Sequence, residues 1–281
     1  MKVFAKTIFS YINLLLHENL QNIIKRLKAL NSDITMLQEV DVNSNRSYGI
    51  NQSRIISNNM NGTESSFATN YKVPFIPYPI PPIGKVEAGI QIQSKFSIDK
   101  VCRIQLPVPF SWPERLGNLK RCLLVGRIPI KDSKKDLVMV NLHMEAYDNG
   151  SGKTAQTNEL FKLLEKEKAK GNYVIAGGDF NQTFSSANIL KYKGRKGTWK
   201  PGIINIEKYK KNWQFVMDTV NPSCRSLDRP FKNADKKSFQ YYVIDGFILS
   251  KNIKVKKYKN MNLQFKNADH NPVLLKVELK R

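Results

Sequence analysis

YVIAGGDFN, residues 173–181, decides how the chain is read. Tyr173 to Ala176 is a short apolar run closed by two glycines, the pattern of a strand. It delivers Asp179 and then Asn181, polar residues for which a strand end has no structural need. Working outward, the same pattern recurs. Ile34 to Leu37 runs into Gln38 and Glu39, Leu137 to Leu142 into His143, and Tyr241 to Ile244 into Asp245, while Asp269-His270-Asn271 precedes a last apolar run, Val273 to Leu279. Strands packed side by side bring such ends together at one edge of their sheets, whatever their separation in sequence. Glu39, Asp179, Asp245 and Asp269 are therefore expected to share one pocket.

Further β-like runs lie at Ala88 to Ile92 and Cys122 to Ile130. Leu20, Ile23, Ile24, Leu27 and Leu30 recur at helical spacing and predict an amphipathic helix over about 18–30. Leu160, Leu163 and Leu164 mark a second helix over about 154–170, closed by Gly171. PFIPYPIPP, residues 74–82, is too rich in proline for an element interior and reads as a rigid surface loop. With no internal repeat, low-complexity tract or shift of composition, the 281 residues read as a single α/β domain with an atypical segment at 1–17.

Composition narrows the function. With 41% apolar and 10% aromatic residues, a chain of this length builds a substantial core, which excludes intrinsic disorder. No apolar run is long enough for a helix to cross a bilayer. Forty-six Lys+Arg against 23 Asp+Glu give a net charge of +23, a field that attracts nucleic acid or an anionic membrane surface. A drift of the whole composition toward Lys, Asn and Ile would produce the same excess. Lys254, Lys256, Lys257 and Lys259, alternating with Val255 and Tyr258, fit a strand with one solvated face. Cys102, Cys122 and Cys224 are odd in number and far apart, so reduced thiols are expected. Lys2, Lys6 and the apolar stretch Thr7 to Leu16 superficially suggest a secretory leader, but His17-Glu18-Asn19 is no small-residue cleavage site. A cytoplasmic monomer is the expectation, secreted or membrane-associated if the N-terminus is truncated or acts as a leader.

Gathered carboxylates repel and raise one another's pKa unless a cation stands among them. Oxygen ligands alone favour a hard divalent ion, Mg²⁺ or Mn²⁺ first, over zinc. Two of the three histidines, His143 and His270, belong to the set. Beside carboxylates they are expected to be protonated, suited to a phosphate contact or to proton donation. GSGKT, 150–154, imitates the end of a phosphate-cradling GxxxxGK[ST] loop, but Tyr147 stands where the first glycine is required. It reads as a loop entering the second helix. Arg121 and Arg127 flank the strand from Cys122 and read as salt-bridged surface residues.

Taken together, LQEVD (37–41), NLH (141–143), GGDFN (177–181), IDGFI (244–248) and DHNPV (269–273) resemble, in order and approximate spacing, the endonuclease/exonuclease/phosphatase superfamily. The resemblance runs from about residue 18 to the C-terminus and looks closest to uncharacterised bacterial members. It implies a four-layered α/β sandwich, two packed mixed β-sheets flanked by helices, and hydrolysis of phosphodiester or phosphomonoester bonds. By the same resemblance Glu39 is the principal metal ligand and Asp269 completes the metal or water network. Asp179 orients or deprotonates the attacking water, and Asn181 holds that water or a phosphate oxygen. His270 contacts the scissile phosphate, kept in tautomer and charge by Asp245. His143 matches the deoxyribonuclease, sphingomyelinase and phosphatase branches and argues against abasic-site repair.

The sequence departs from the family at its start, where a strand ending in a metal-contacting asparagine is expected. Asn13 ends a substitute strand from Phe9, or a helix runs backwards through it. The lack of turn residues between Asn13 and Glu18 favours the helix. Three functions stay open at this level. The first is a metal-dependent phosphoesterase with nucleic acid favoured as substrate. The second is a catalytically weak relative that only binds nucleic acid or anionic phospholipid. The third, a sphingomyelinase-like enzyme, would call for an exposed aromatic hairpin, which the sequence does not make evident.

Overall fold

The computed structural model describes residues 2–148, 150–192 and 194–280, with side chains from Leu16 onward. Helix α1, Lys2–Leu30, is followed by β1, Ile34–Asp41, and the short helix α2, Gln52–Asn59. A long hairpin comes next, β2 over Glu64–Ile76 and β3 over Gly84–Ser94, and with β1 it makes an antiparallel sheet in the order β1-β3-β2. The chain then lays down β4 Lys100–Gln105, β5 Cys122–Pro129, β6 Asp136–His143, helix α3 Ser151–Ala169 and β7 Tyr173–Asp179. β8 Gln182–Phe184 and β9 Gly202–Ile204 pair beyond β7, and β10 Trp213–Val216 follows. β11 Cys224–Arg225 pairs with β12 Tyr241–Tyr242, then come β13 Asp245–Ser250 and the terminal hairpin of β14 Ile253–Asn260 and β15 Val273–Leu279. The larger sheet has the order β10-β13-β7-β6-β5-β4 and is mixed, because β6 and β7 run parallel through the α3 crossover.

Period-two alternation gives the central strands β5, β6 and β7 two buried faces. Leu123, Val125, Val138, Val140, Val174 and Ala176 pack outward against Leu160, Phe161 and Leu164 of α3. Cys122, Leu124, Leu137, Met139, Tyr173 and Ile175 face the other way, against Ala68, Ile90 and Ile92 of the small sheet and the apolar side of the terminal hairpin. The outer face of the small sheet is covered by Leu20 and Ile24 of α1 and Ile56 of α2. Helix, sheet, sheet, helix is the four-layered sandwich the sequence pointed to, with the smaller sheet wholly antiparallel.

The first helix begins at Lys2 instead of near residue 18, and its backbone continues through Asn13, so the favoured helix reading holds and no strand precedes β1 among the described residues. The Asn13 side chain lies outside the described residues. The proline-rich loop is shorter than 74–82, because Pro74 to Ile76 still belong to β2. No helix among the described residues is long and apolar enough to cross a membrane.

Candidate active site

Strand register assembles the site. β6 pairs with β7 so that His143 stands opposite Asp179, and β7 pairs with β13 so that Asp179 stands opposite Asp245. Counting in twos from Met139, Ile175 and Leu249, which face between the sheets, places His143, Asp179 and Asp245 on that same inner face. Three residues from distant parts of the chain thus form one row at the sheet's edge. Gly178 makes the row possible: its φ is +135°, and a Cβ there would lie 2.2 Å from the Leu142 carbonyl oxygen.

The opposing sheet delivers Glu39. A bulge between Leu37 and Val40 gives Glu39 a φ of +55° and turns its carboxylate outward, 61% exposed, to 4.0 Å from His143 Nε2 and 3.7 Å from Arg46 Nη1. The two sheets are tied directly beneath it. Asn141 Nδ2 donates to the carbonyls of Leu37 and Gln91, and Gln38 Nε2 donates to Asn141 Oδ1 at 2.6 Å. His270 arrives on the loop before β15, held by its bridge to Cys224 and by Asn271 N–H donating to Ser223 O. Its Nδ1 lies 2.9 Å from Asp245 Oδ2.

Asp179 Oδ1 accepts from Asn181 N–H at 2.8 Å while Oδ2 stands 3.4 Å from His143 Nε2. Asn181, at φ +49°, donates its amide to the Met144 carbonyl, which fixes its orientation. Burial first, and the facing Asp245 second, push the Asp179 carboxyl up to about 7. Burial alone would depress His270, but Asp245 and Cys224 outweigh it and hold the ring well above the ordinary histidine range. His143 goes the other way. Complete burial, then the positive charges of Arg121, His270 and Arg46, hold it well below that range, so the expectation that both histidines are protonated is corrected for His143. Its contact with Asp179 is not an ion pair, and its Nδ1 is buried with no hydrogen-bond partner.

Six of the seven residues singled out in the sequence therefore converge: Glu39, His143, Asp179, Asn181, Asp245 and His270. Asp269 is anchored through its carbonyl, which accepts from Arg225 N–H, and its carboxylate makes no hydrogen bond or ion pair among the described residues. Sequence reasoning missed the surroundings. Arg121 is not a surface residue: with its side chain 2% exposed, it pairs with the equally buried Glu145 at 3.3 Å and donates to the His143 carbonyl. Arg127 is likewise drawn inward, making two hydrogen bonds to the buried Glu167. Tyr71 and Tyr147 stand close enough to Glu39 and Arg121 for their hydroxyls to feel both charges. Tyr147 lies four residues past His143, in the loop after a strand that delivers chemistry, and that position was the available signal.

No group of three or more His, Cys, Asp or Glu side chains is arranged around a metal position among the described residues. Mg²⁺ is commonly held by one or two carboxylates, with water and substrate phosphate completing the shell. The outward Glu39 carboxylate fits that manner of binding, and the Asp179 and Asp245 carboxylates stand opposite each other in the same row. The GSGKT segment holds no phosphate nest: Asp148 Oδ2 accepts the N–H groups of Gly150, Gly152 and Lys153, and Lys153 Nζ folds back on Asp148 Oδ1 at 2.8 Å. The chain's own carboxylate fills the anion position.

The model of the Endonuclease/Exonuclease/phosphatase family matches residues 12–229. Among solved structures, an endonuclease/exonuclease/phosphatase from Beutenbergia cavernae superposes with a TM-score of 0.65 at 16% identity, covering 92% of this chain and 66% of that one. The chain thus spans just under two thirds of that protein's length. The human Nocturnin catalytic domain with bound sulfate anion gives 0.60 at 16% identity over 94% of this chain and 87% of that one. A mannosyl-6-phosphatase from Bacteroides thetaiotaomicron gives 0.58 at 16% identity over 94% and 92%. At such identities the likeness is one of fold. No curated protein matches the sequence.

Proposed function

The chain belongs to the endonuclease/exonuclease/phosphatase family, whose members are generally phosphoester hydrolases using divalent metals, and we propose that it is itself a Mg²⁺- or Mn²⁺-dependent phosphoesterase. The observation that carries this reading is the single row His143, Asp179, Asp245, flanked by Glu39 on one side and His270 on the other. Phosphodiester or phosphomonoester bonds are its substrates. The charge of +23 favours nucleic acid among the polyanions.

Glu39 would hold the metal, which would supply neutralisation of charge on the phosphoryl oxygens. Asp179, oriented through Asn181, takes the proton of the attacking water, a role suited to a carboxyl raised to about 7. His270, kept protonated and oriented by Asp245, donates to a phosphate oxygen where negative charge grows in the transition state. Neutral His143 stands between Glu39 and Asp179 and holds the two carboxyls apart.

The test is hydrolysis of bis(p-nitrophenyl) phosphate and of plasmid DNA, with Mg²⁺, with Mn²⁺ and with EDTA. Activity is expected to vanish in EDTA and to fall about 10²-fold or more in Asp179→Asn and in His270→Ala. Turnover that survives EDTA, or that these two variants leave intact, overturns the reading.

A further inference from the structure

A rim of apolar side chains stands in solvent beside the mouth of the site. At the tip of the β2–β3 hairpin Phe75 is 58%, Tyr78 76% and Ile80 93% exposed; on the neighbouring loop Trp112 is 75% and Leu116 57% exposed. The two loops are fastened together at their bases, where Tyr71 Oη donates to the Gly117 carbonyl and Lys120 N–H to that of Asn70. Tyr71 connects the rim to the site, since it pairs with Ala88 of β3, which pairs in turn with Asp41, two residues past Glu39 on β1. Large apolar side chains gathered on loop tips mark a contact surface.

Charge and chemistry decide which contact. Residues 71–85 carry Lys72 and Lys85 and no carboxylate, and residues 111–120 carry Arg115 and Lys120 against the single Glu114. Nucleic acid would use the aromatic faces and the cations, but it offers nothing to the aliphatic Ile80, Leu116 and the prolines between them. The acyl boundary of a bilayer accepts all of them, with Trp and Tyr at headgroup level and Lys and Arg against anionic lipid. Proline makes the hairpin tip stiff, so little conformational freedom is lost on docking.

We propose that this rim docks the protein peripherally on anionic phospholipid membranes, with the mouth of the site toward the headgroups. The docking stands by itself. Its bearing on catalysis rests on the phosphoesterase reading.

The experiment is co-sedimentation of the full chain with phosphatidylcholine vesicles, with and without phosphatidylserine, in EDTA, so that no turnover enters the readout. Binding to the anionic vesicles is expected, accompanied by a blue shift of tryptophan emission that Trp112→Phe abolishes while the protein still sediments. Ile80→Asp combined with Trp112→Asp should lower the partition coefficient about tenfold or more while leaving the circular dichroism and Tm unchanged. Absence of vesicle binding overturns the proposal, as does equal binding by the folded double variant. Loss of single-stranded oligonucleotide binding in that variant, with no vesicle binding by the parent, also overturns it and assigns the rim to nucleic acid.

Discussion

The buried pair of Arg121 and Glu145 should dominate the local energetics beneath the site, and a double-mutant cycle measures it. Both side chains are 2% exposed, with Nε and Oε2 3.3 Å apart. Arg121 Nη1 also donates to the His143 carbonyl at 3.2 Å, while Glu145 Oε1 accepts the N–H groups of Ala146 and Tyr147. Arg121→Met leaves a buried carboxylate facing two amides without its cation, and the cost for such a broken pair is about 3–5 kcal/mol. The lost hydrogen bond to His143 adds about 1 kcal/mol. Against a whole-domain stability of about 5–15 kcal/mol, this variant is close to unfolding.

Glu145→Gln keeps an acceptor for Ala146 and Tyr147 and removes only the charge, stranding the guanidinium at similar cost. The double variant buries neither charge. Urea unfolding of the four proteins should therefore show the double variant more stable than the sum of the singles by about 2 kcal/mol or more. Losses that add to within about 0.5 kcal/mol would refute the coupling. The variants should also lose phosphoesterase activity, because the strand end that carries His143 is the one Arg121 braces.

Two further outcomes are expected. Burial would raise the Glu167 carboxyl, but hydrogen bonds from Arg127, Lys170 and Asn172 outweigh it and lower it from 4.5 to about 2. Taken whole the gap corresponds to about 3 kcal/mol, an upper bound that solvent screening of the exposed Lys170 partner reduces. Because the folded value is the depressed one, this contribution is present above pH 4.5 and fades as pH falls toward 2. The stability difference between the parent and Glu167→Gln should thus be largest at neutral pH and shrink at pH about 3, and a gap that is constant with pH contradicts it. Asn141→Leu removes both donations to Leu37 and Gln91 and leaves Gln38 unpaired, so it should cost about 2 kcal/mol or more and lower turnover through the displaced Glu39 bulge. Unchanged kcat in a folded Asn141→Leu protein would show that Glu39 does not depend on this tie.

What was legible in the sequence, and what was not, divides along a physical line. β5, β6 and β7 are buried on both faces, so they read as unbroken apolar runs whose ends stand out, and those ends carry the site. The ESSFATNYKVPFI of β2 and the KVCRIQ of β4 are exposed along one side, and their polar interleaving hid them. The run of α1 back through Asn13 was legible in the missing turn residues between Asn13 and Glu18, whereas its start at Lys2 was not, because the helical spacing of apolar residues is clear only from Leu20 onward. Charge states were hidden for a deeper reason. An arginine next to a strand reads as surface because most are, and only the antiparallel pairing of β5 with β6, which brings the residue before β5 beside those after β6, sets Arg121 against Glu145. Burial first, and that same guanidinium second, hold His143 well below the ordinary histidine range, whereas His270 meets Asp245 at 2.9 Å and is held above it. A motif can therefore name both histidines, but their division into one neutral and one charged ring belongs to the packing around them. If Asp179 accepts the proton of water as proposed, a charged His143 at 3.4 Å would stabilise its carboxylate and weaken it as a base, so the proposed chemistry depends on that division.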